Sequence, residues 1–226
     1  MKHRVQSDDV LGSLAGDIRA MHIRLGYIFI NLKIFLLDMG AYEEYMDFMR
    51  KLRSEIFFPI AERLRKFSIT ANQLTALSFL CGLISVYFLF RIHWLFVLFA
   101  LLHLFLDGLD GVLARITETT IRGKFLDQIS DRAIIWLVML KSYFYFGDYI
   151  ILIFTVLLLA KDLIYLFSRM KYPVWFSRTT VMSIYLFGPV ISWAYTLGGL
   201  VVGVVAVYSL LLQLAYFLET RKHTFF

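Results

Sequence analysis

Four carboxylates stand close together in an otherwise apolar part of the chain. They occur in Asp107-Gly-Leu-Asp110-Gly111-Val-Leu-Ala114-Arg115 and, after seven further residues, in Gly123-Lys-Phe-Leu-Asp127-Gln-Ile-Ser-Asp131. On lenient insertion scales each acidic side chain at mid-bilayer costs about 2.5–3.5 kcal/mol, less near a helix end, so such a group needs a compensating partner. Asp107, Asp110, Gly111 and Ala114 recur at i, i+3, i+4 and i+7 and share one helix face. Gly123, Asp127 and Asp131 share a face of the following segment. If a short connection makes these segments antiparallel neighbours, both acidic faces converge on one hard cation. Oxygen donors without His or Cys favour magnesium, manganese or calcium over zinc or copper. Gly111 and Ala114 leave the face nearly free of bulk for an extended ligand, and Arg115 at its end suits a phosphate. A salt bridge or an interhelical hydrogen bond explains a single intramembrane aspartate, but it explains four at this spacing poorly. His103, one turn before Asp107, either supports the acidic face or packs between helices.

The elements that must position these residues are membrane helices. The chain is 60% hydrophobic and 18% charged, against about 45–50% and about 25% in soluble domains. Six apolar stretches follow Thr70, at Thr70–Phe90, Trp94–Val112, Phe125–Phe146, Tyr149–Phe167, Thr179–Thr196 and Leu200–Leu218, each near the roughly 20 residues that cross a bilayer as a helix. The predicted fold is therefore an all-α integral membrane protein with six transmembrane helices. Thr70 and Gln73 predict a capping box at the start of the first span. Arg115, Arg122, Lys124, Arg169, Lys171, Arg178, Arg221 and Lys222 fall at junctions on one side, while Arg91, His93, Asp148 and Gly198 mark the other. That bias puts both termini, and the acidic site, on the cytoplasmic face.

Residues 1–69 form a separate N-terminal extension, and residues 70–226 the six-span domain. Charges such as Arg24, Lys33, Asp38, Glu43 and Glu44 interrupt every apolar run in the extension. Glu55–Phe67 predicts an amphipathic helix lying along the cytoplasmic interface, and Leu25–Leu37 either does the same or packs on a partner. The basic start lacks the apolar core and cleavage site of a removable signal peptide. The net charge of +6 is dispersed between apolar segments, which argues against a nucleic-acid partner. The lone Cys81 allows neither an internal disulfide nor a cysteine metal site.

The aspartate pattern resembles the signature of the CDP-alcohol phosphatidyltransferase family, Asp-x-x-Asp-Gly-x-x-Ala-Arg followed, after seven or eight residues, by Gly-x-x-x-Asp-x-x-x-Asp. Every fixed position is present, and the six-span framework extends the resemblance over Thr70 to Leu218. The resemblance implies that Asp107, Asp110 and Asp127 hold Mg2+ or Mn2+, commonly as two ions, with Asp131 completing the metal set and serving as the general base. It implies a CDP site formed by Asp107, Asp110, Gly111, Ala114, Arg115, Gly123 and Asp127. Asn72 and Thr75 match the family's Pro-Asn-x-x-Thr, with Ala71 in place of proline; they either contact the nucleotide or cap and pack the helix. The partners it implies are a CDP-linked lipid donor, a small alcohol acceptor, the bilayer and a second copy of the chain.

Lys161, Arg169 and Arg178 are the candidate acceptor-binding cations, with ordinary orientation charge as the competing explanation. Ala160-Lys161-Asp162 is similar to an Ala-Arg-Asp element of the family's phosphatidylglycerophosphate and cardiolipin synthases. This leans the acceptor slightly toward glycerol 3-phosphate, ahead of inositol phosphate. The competing functions are an intramembrane prenyltransferase, a cation or proton carrier, and an inactive scaffold. The compact Asp-Gly-x-x-Ala-Arg element speaks against the first, and an ion pathway has no need of it.

Overall fold

The computed structural model describes residues 40–117, 121–168, 170, 172, 177–191 and 193–222, and every regular element among them is helical. The helices are α1 (Gly40–Lys66), α2 (Ala71–Phe88), α3 (His93–Ile116), α4 (Ile121–Phe146), α5 (Tyr149–Phe167), α6 (Arg178–Tyr185) and α7 (Ala194–Lys222). The stretch expected to be amphipathic at Leu25–Leu37, together with Arg169 and Lys171, lies outside the described residues. Backbone contacts divide the chain into the units Met1–Asp47 and Phe48–Phe226. The candidate site residues named above all belong to the second unit.

Among the described residues four helical segments, Ala71–Phe88, His93–Ile116, Tyr149–Phe167 and Ala194–Leu218, are long and apolar enough to cross a membrane. α4 has the length, at 26 residues, but carries Asp127, Asp131, Arg132 and Lys141 within it. Exposed Leu77, Leu80, Leu98, Leu101, Ile150, Ile153, Val156 and Val204 give these helices an apolar outer surface, the reverse of a water-soluble exterior.

The stretch expected as one span at Thr179–Thr196 takes a different form. α6 is eight residues long, about 12 Å at 1.5 Å per residue, and it ends at Tyr185. Pro189 gives the reason. A proline ring clashes with the carbonyl four residues earlier and supplies no N–H, so the α-helix stops at that carbonyl. Beyond it the backbone bonds from Phe187 to Ile184, Gly188 to Tyr185 and Val190 to Phe187 close successive i→i+3 turns. Gly188 is needed there because a Cβ would collide with the Tyr195 ring.

The main core lies between α3, α4, α5, α6 and α7, where Phe96, Ala100, Ile134, Val138, Met139, Leu158, Met182, Tyr185 and Val202 are buried. α2 packs on both α3 and α4, whereas α3 and α4 make little direct backbone contact with each other. The acid-bearing helices thus lean on a shared third helix instead of pairing closely. Gly82 of α2 sits at their meeting point, where a Cβ would lie 2.7 Å from Ile134 Cδ1 and 3.2 Å from His103 Nδ1.

α1 reaches the bundle through a second apolar cluster, in which Ala61, Leu74, Leu109, Val112 and Leu113 are buried and Phe57 and Leu64 pack alongside. A Cβ at Gly108 would lie 2.9 Å from Phe57 Cε2, and Phe57 meets Phe105 edge-on at 5.2 Å between ring centroids. The C-terminal half of α1 is therefore docked on α3 along one face, while Ile56, Phe58 and Phe67 stay exposed on the other.

Candidate active site

Asp107 and Asp110 come from the last turns of α3, and Asp127 comes from the first turns of α4. One carboxylate oxygen from each lies within 4.8 Å of the others. Ligands on opposite sides of a divalent cation with bonds of about 2.1–2.4 Å are about 4.2–4.8 Å apart, so this spacing fits a shared Mg2+, Mn2+ or Ca2+. The donors are all oxygens, as these hard cations require. Asp110 is buried, and Thr75 Oγ1 of α2 donates to its Oδ2 at 2.7 Å. Thr75, expected either to contact the nucleotide or to cap and pack the helix, thus supports Asp110 and also lines the adjoining cavity.

Asp131, expected in the metal set, stands outside this group of three and is paired with Arg178. Arg178 is buried at the start of α6. Its Nη2 donates to Asp107 Oδ2 at 2.6 Å, its Nη1 to Asp107 Oδ1 at 3.1 Å, and Nη1 also reaches Asp131 Oδ1. A planar guanidinium suits this two-carboxylate fork better than a lysine ammonium would.

His103 positions the guanidinium. Its Nδ1 lies 2.9 Å from the Ser78 carbonyl oxygen, which can only accept, so Nδ1 carries the proton. Nε2 then offers its lone pair to Arg178 Nη1 at 3.1 Å. Ser78 Oγ, 2.9 Å from the same Nδ1, donates to the His103 carbonyl at 3.0 Å and ties the ring's backbone to α2. Both readings of His103 meet in this geometry, since the buried ring bonds α2 through Nδ1 and faces the guanidinium of the acidic site through Nε2.

Beside the carboxylates opens a cavity of about 660 Å³ lined by Asn72, Thr75, Asp110, Gly111, Ala114, Arg115, Gly123 and Asp127, all candidate nucleotide residues. Asp107 is the one candidate missing from the lining. A Cβ at Gly111 would meet only the tip of Arg115, at 3.9 Å, so the floor has room for a ligand. Arg115 Nη2 also donates to Ser54 Oγ of α1 at 3.0 Å. Arg65, Ser68, Ile69, Thr70, Ala71, Thr117 and Lys124 complete the wall. The sequence pattern had not assigned these seven to the cavity, although Phe57, Ala61 and Arg65 follow one another at i+4 and mark one stripe of α1.

The structure does not bring Lys161 to this cavity. It is 2% exposed, with Nζ 2.8 Å from Asp162 Oδ1. Asp162 also accepts from Trp136 Nε1 at 2.9 Å and lies 3.3 Å from Arg132 Nε. This second buried charge network joins α4 to α5. Arg169 lies outside the described residues, which leaves Arg178 as the acceptor candidate that contacts the aspartates.

A sequence model of the CDP-alcohol phosphatidyltransferases matches residues 68–219. No curated protein matches the chain by sequence. The matched segment covers well over half of the 226 residues and contains the three converging carboxylates, Asp131 and Arg178. With apolar helices built to cross a membrane around that acidic cluster, the chain belongs to the CDP-alcohol phosphatidyltransferase family, membrane phosphotransferases of phospholipid synthesis that act on CDP-linked lipid and alcohol substrates.

Proposed function

We propose that the protein transfers a phosphatidyl or archaetidyl group from a CDP-linked lipid to a small phosphorylated alcohol, first glycerol 3-phosphate and next inositol phosphate, and releases CMP. The reading is carried by the convergence of Asp107, Asp110 and Asp127 beside a cavity floored by Gly111, Ala114 and Gly123. These three residues would hold Mg2+ or Mn2+, as two ions in the full complex. Bound there, the metal would supply neutralisation of charge on the donor's diphosphate and on the departing CMP.

The chain's own residues do the rest. Gly111, Ala114 and Gly123 admit the nucleotide close to the backbone, and Asn72 and Arg115 line its approach. Asp131 accepts the proton of the acceptor hydroxyl as that oxygen bonds to the lipid-bearing phosphorus and the bond from phosphorus to the CMP oxygen breaks. Arg178, hydrogen-bonded to Asp131, orients the base and offers charge to the acceptor phosphate. Lys161 and Arg169 remain proposed as more distant acceptor residues.

The reading extends to topology and assembly. Six spans, with α4 and the α6 turn region completing the set, put both termini and the cavity on the cytoplasmic side, and two copies form the working enzyme. The Lys/Arg bias supports the orientation, and the family resemblance supports the dimer.

The test uses the full chain purified in detergent with a CDP-lipid, Mg2+ or Mn2+, and a panel of alcohols and alcohol phosphates. CMP release is followed by chromatography and the lipid product by mass. Metal-dependent CMP release with glycerol 3-phosphate is expected. A folded protein that releases no CMP with any acceptor would sink the reading.

A further inference from the structure

The nucleotide cavity has a wall from outside the family-matched segment. Residues 68–219 carry the match, yet Arg65, the penultimate residue of α1, lines the same cavity as Asn72, Asp110, Gly111 and Asp127. Local structure fixes that position from both sides. The Ser68 N–H donates to Arg65 O at 3.0 Å and the Ile69 N–H to Leu64 O at 3.1 Å, with Ser68 at φ +59. These are the two bonds and the left-handed residue of a Schellman C-cap. Leu64 and Ile69 add its apolar contact in the cluster around Ala61 and Leu113.

The next residue, Thr70, already caps α2. Its Oγ1 accepts from Gln73 N at 3.3 Å, and its N–H donates to Gln73 Oε1 at 2.9 Å. A finished helix end therefore runs into a capped helix start across three residues, and little backbone freedom is left to carry Arg65 away. Upstream, Phe57 against Gly108, buried Ala61 and the Arg115–Ser54 hydrogen bond hold the helix on α3.

Arg65 is exposed, and among the described residues no hydrogen bond or ion pair occupies its guanidinium. The cavity wall holds Arg65, Arg115 and Lys124 together with Asp110 and Asp127. Once a divalent cation offsets the two carboxylates, the lining is strongly cationic, which suits a ligand with several negative charges.

We propose that Arg65 is a donor-binding residue whose guanidinium pairs with a phosphate of the CDP moiety, which makes the C-terminal end of α1 part of the enzyme's substrate site. The proposal rests on the donor reading above. A lipid headgroup phosphate would offer Arg65 the same chemistry, so the test must separate the two.

The full chain in detergent without added phospholipid is titrated with CDP and with cytidine in the presence of Mn2+, comparing the parent protein with Arg65→Ala, Arg65→Lys and Arg65→Glu. Arg65→Ala is expected to weaken CDP about tenfold or more, the usual effect of losing a charge-assisted hydrogen bond. Arg65→Glu should weaken it further, Arg65→Lys should restore part of the affinity, and cytidine binding should not change. Equal weakening of cytidine would overturn the phosphate contact. Unchanged CDP affinity with reduced binding to anionic vesicles would assign Arg65 to lipid headgroups and overturn the proposal. A parent protein that is folded and binds no CDP would sink the donor reading along with it, whereas tight CDP binding unaffected by all three substitutions would sink this inference alone.

Discussion

At the scale of single residues, Arg178 ties one of the three carboxylates that share a cation position, Asp107, to the fourth, Asp131. Asp131→Asn keeps size and hydrogen bonding but removes the proton acceptor. CMP release should fall at least 100-fold with an unchanged melting temperature, and normal turnover would remove Asp131 from the base role. Thr75→Val deletes the hydroxyl that donates to Asp110 Oδ2. Losing such a supporting bond weakens metal binding by about 10–100-fold, which a Mn2+ titration followed by electron paramagnetic resonance would detect. Gly111→Leu separates cavity from scaffold. Because a Cβ there meets only Arg115, helix propensity should leave stability unchanged or raise it by about 0.5–1 kcal/mol, while CDP binding falls sharply. Destabilisation by this change would show that the glycine serves packing. The aspartates were legible in the sequence because helical period alone decides which side chains share a face. The clasp by Arg178 was not, since its partners Asp107 and Asp131 lie 71 and 47 positions away and no local spacing encodes them.

At the scale of elements, cap and break signals account for most of what was readable. The capping box at Thr70 is present as its residue types predict, and Thr70→Ala should cost about 1 kcal/mol, measurable as a drop in melting temperature in detergent. The end of α1 was harder to read, because its left-handed position is filled by Ser68 and not by the glycine or asparagine that usually marks such a stop. The α6 break was readable in principle, since Pro189 stands four residues past Tyr185, but hydropathy continues smoothly across it. Hydropathy reports what a segment is soluble in, while proline geometry reports whether it stays helical. α1 shows a related limit: its charges ruled out a span, yet the Phe57 and Ala61 contacts that dock it on α3 have meaning only once Gly108 is known to face them. Gly82, where α2, α3 and α4 meet, should tolerate little. Gly82→Val would overpack Ile134 and His103 and cost about 1–3 kcal/mol, and an unchanged melting temperature would contradict the tight junction.

At the scale of the whole molecule, composition conveys the membrane class, and the bias of Lys and Arg is the ground for the proposed orientation. The orientation is open to a direct test, because Cys81 is the only native cysteine and is buried. With Cys81→Ser as background, Thr117→Cys should react with an impermeant thiol reagent from the cytoplasmic face and Asp148→Cys from the opposite one. Labelling of both from one side would overturn the proposed topology. What composition cannot convey is how the helices lean: α2 supports both acid-bearing helices, whose backbones make little contact while their carboxylates meet. The cavity lined by Gly111 and Ala114 of one and Gly123 and Asp127 of the other is a seam between them. A two-tailed amphiphile can drift to such a seam within its own leaflet and swing in only its head, with no need to be lifted out of the hydrocarbon. Turnover in mixed micelles should then follow the mole fraction of donor at the surface and not its bulk concentration, so diluting the donor with inert detergent at constant total amount should slow the enzyme.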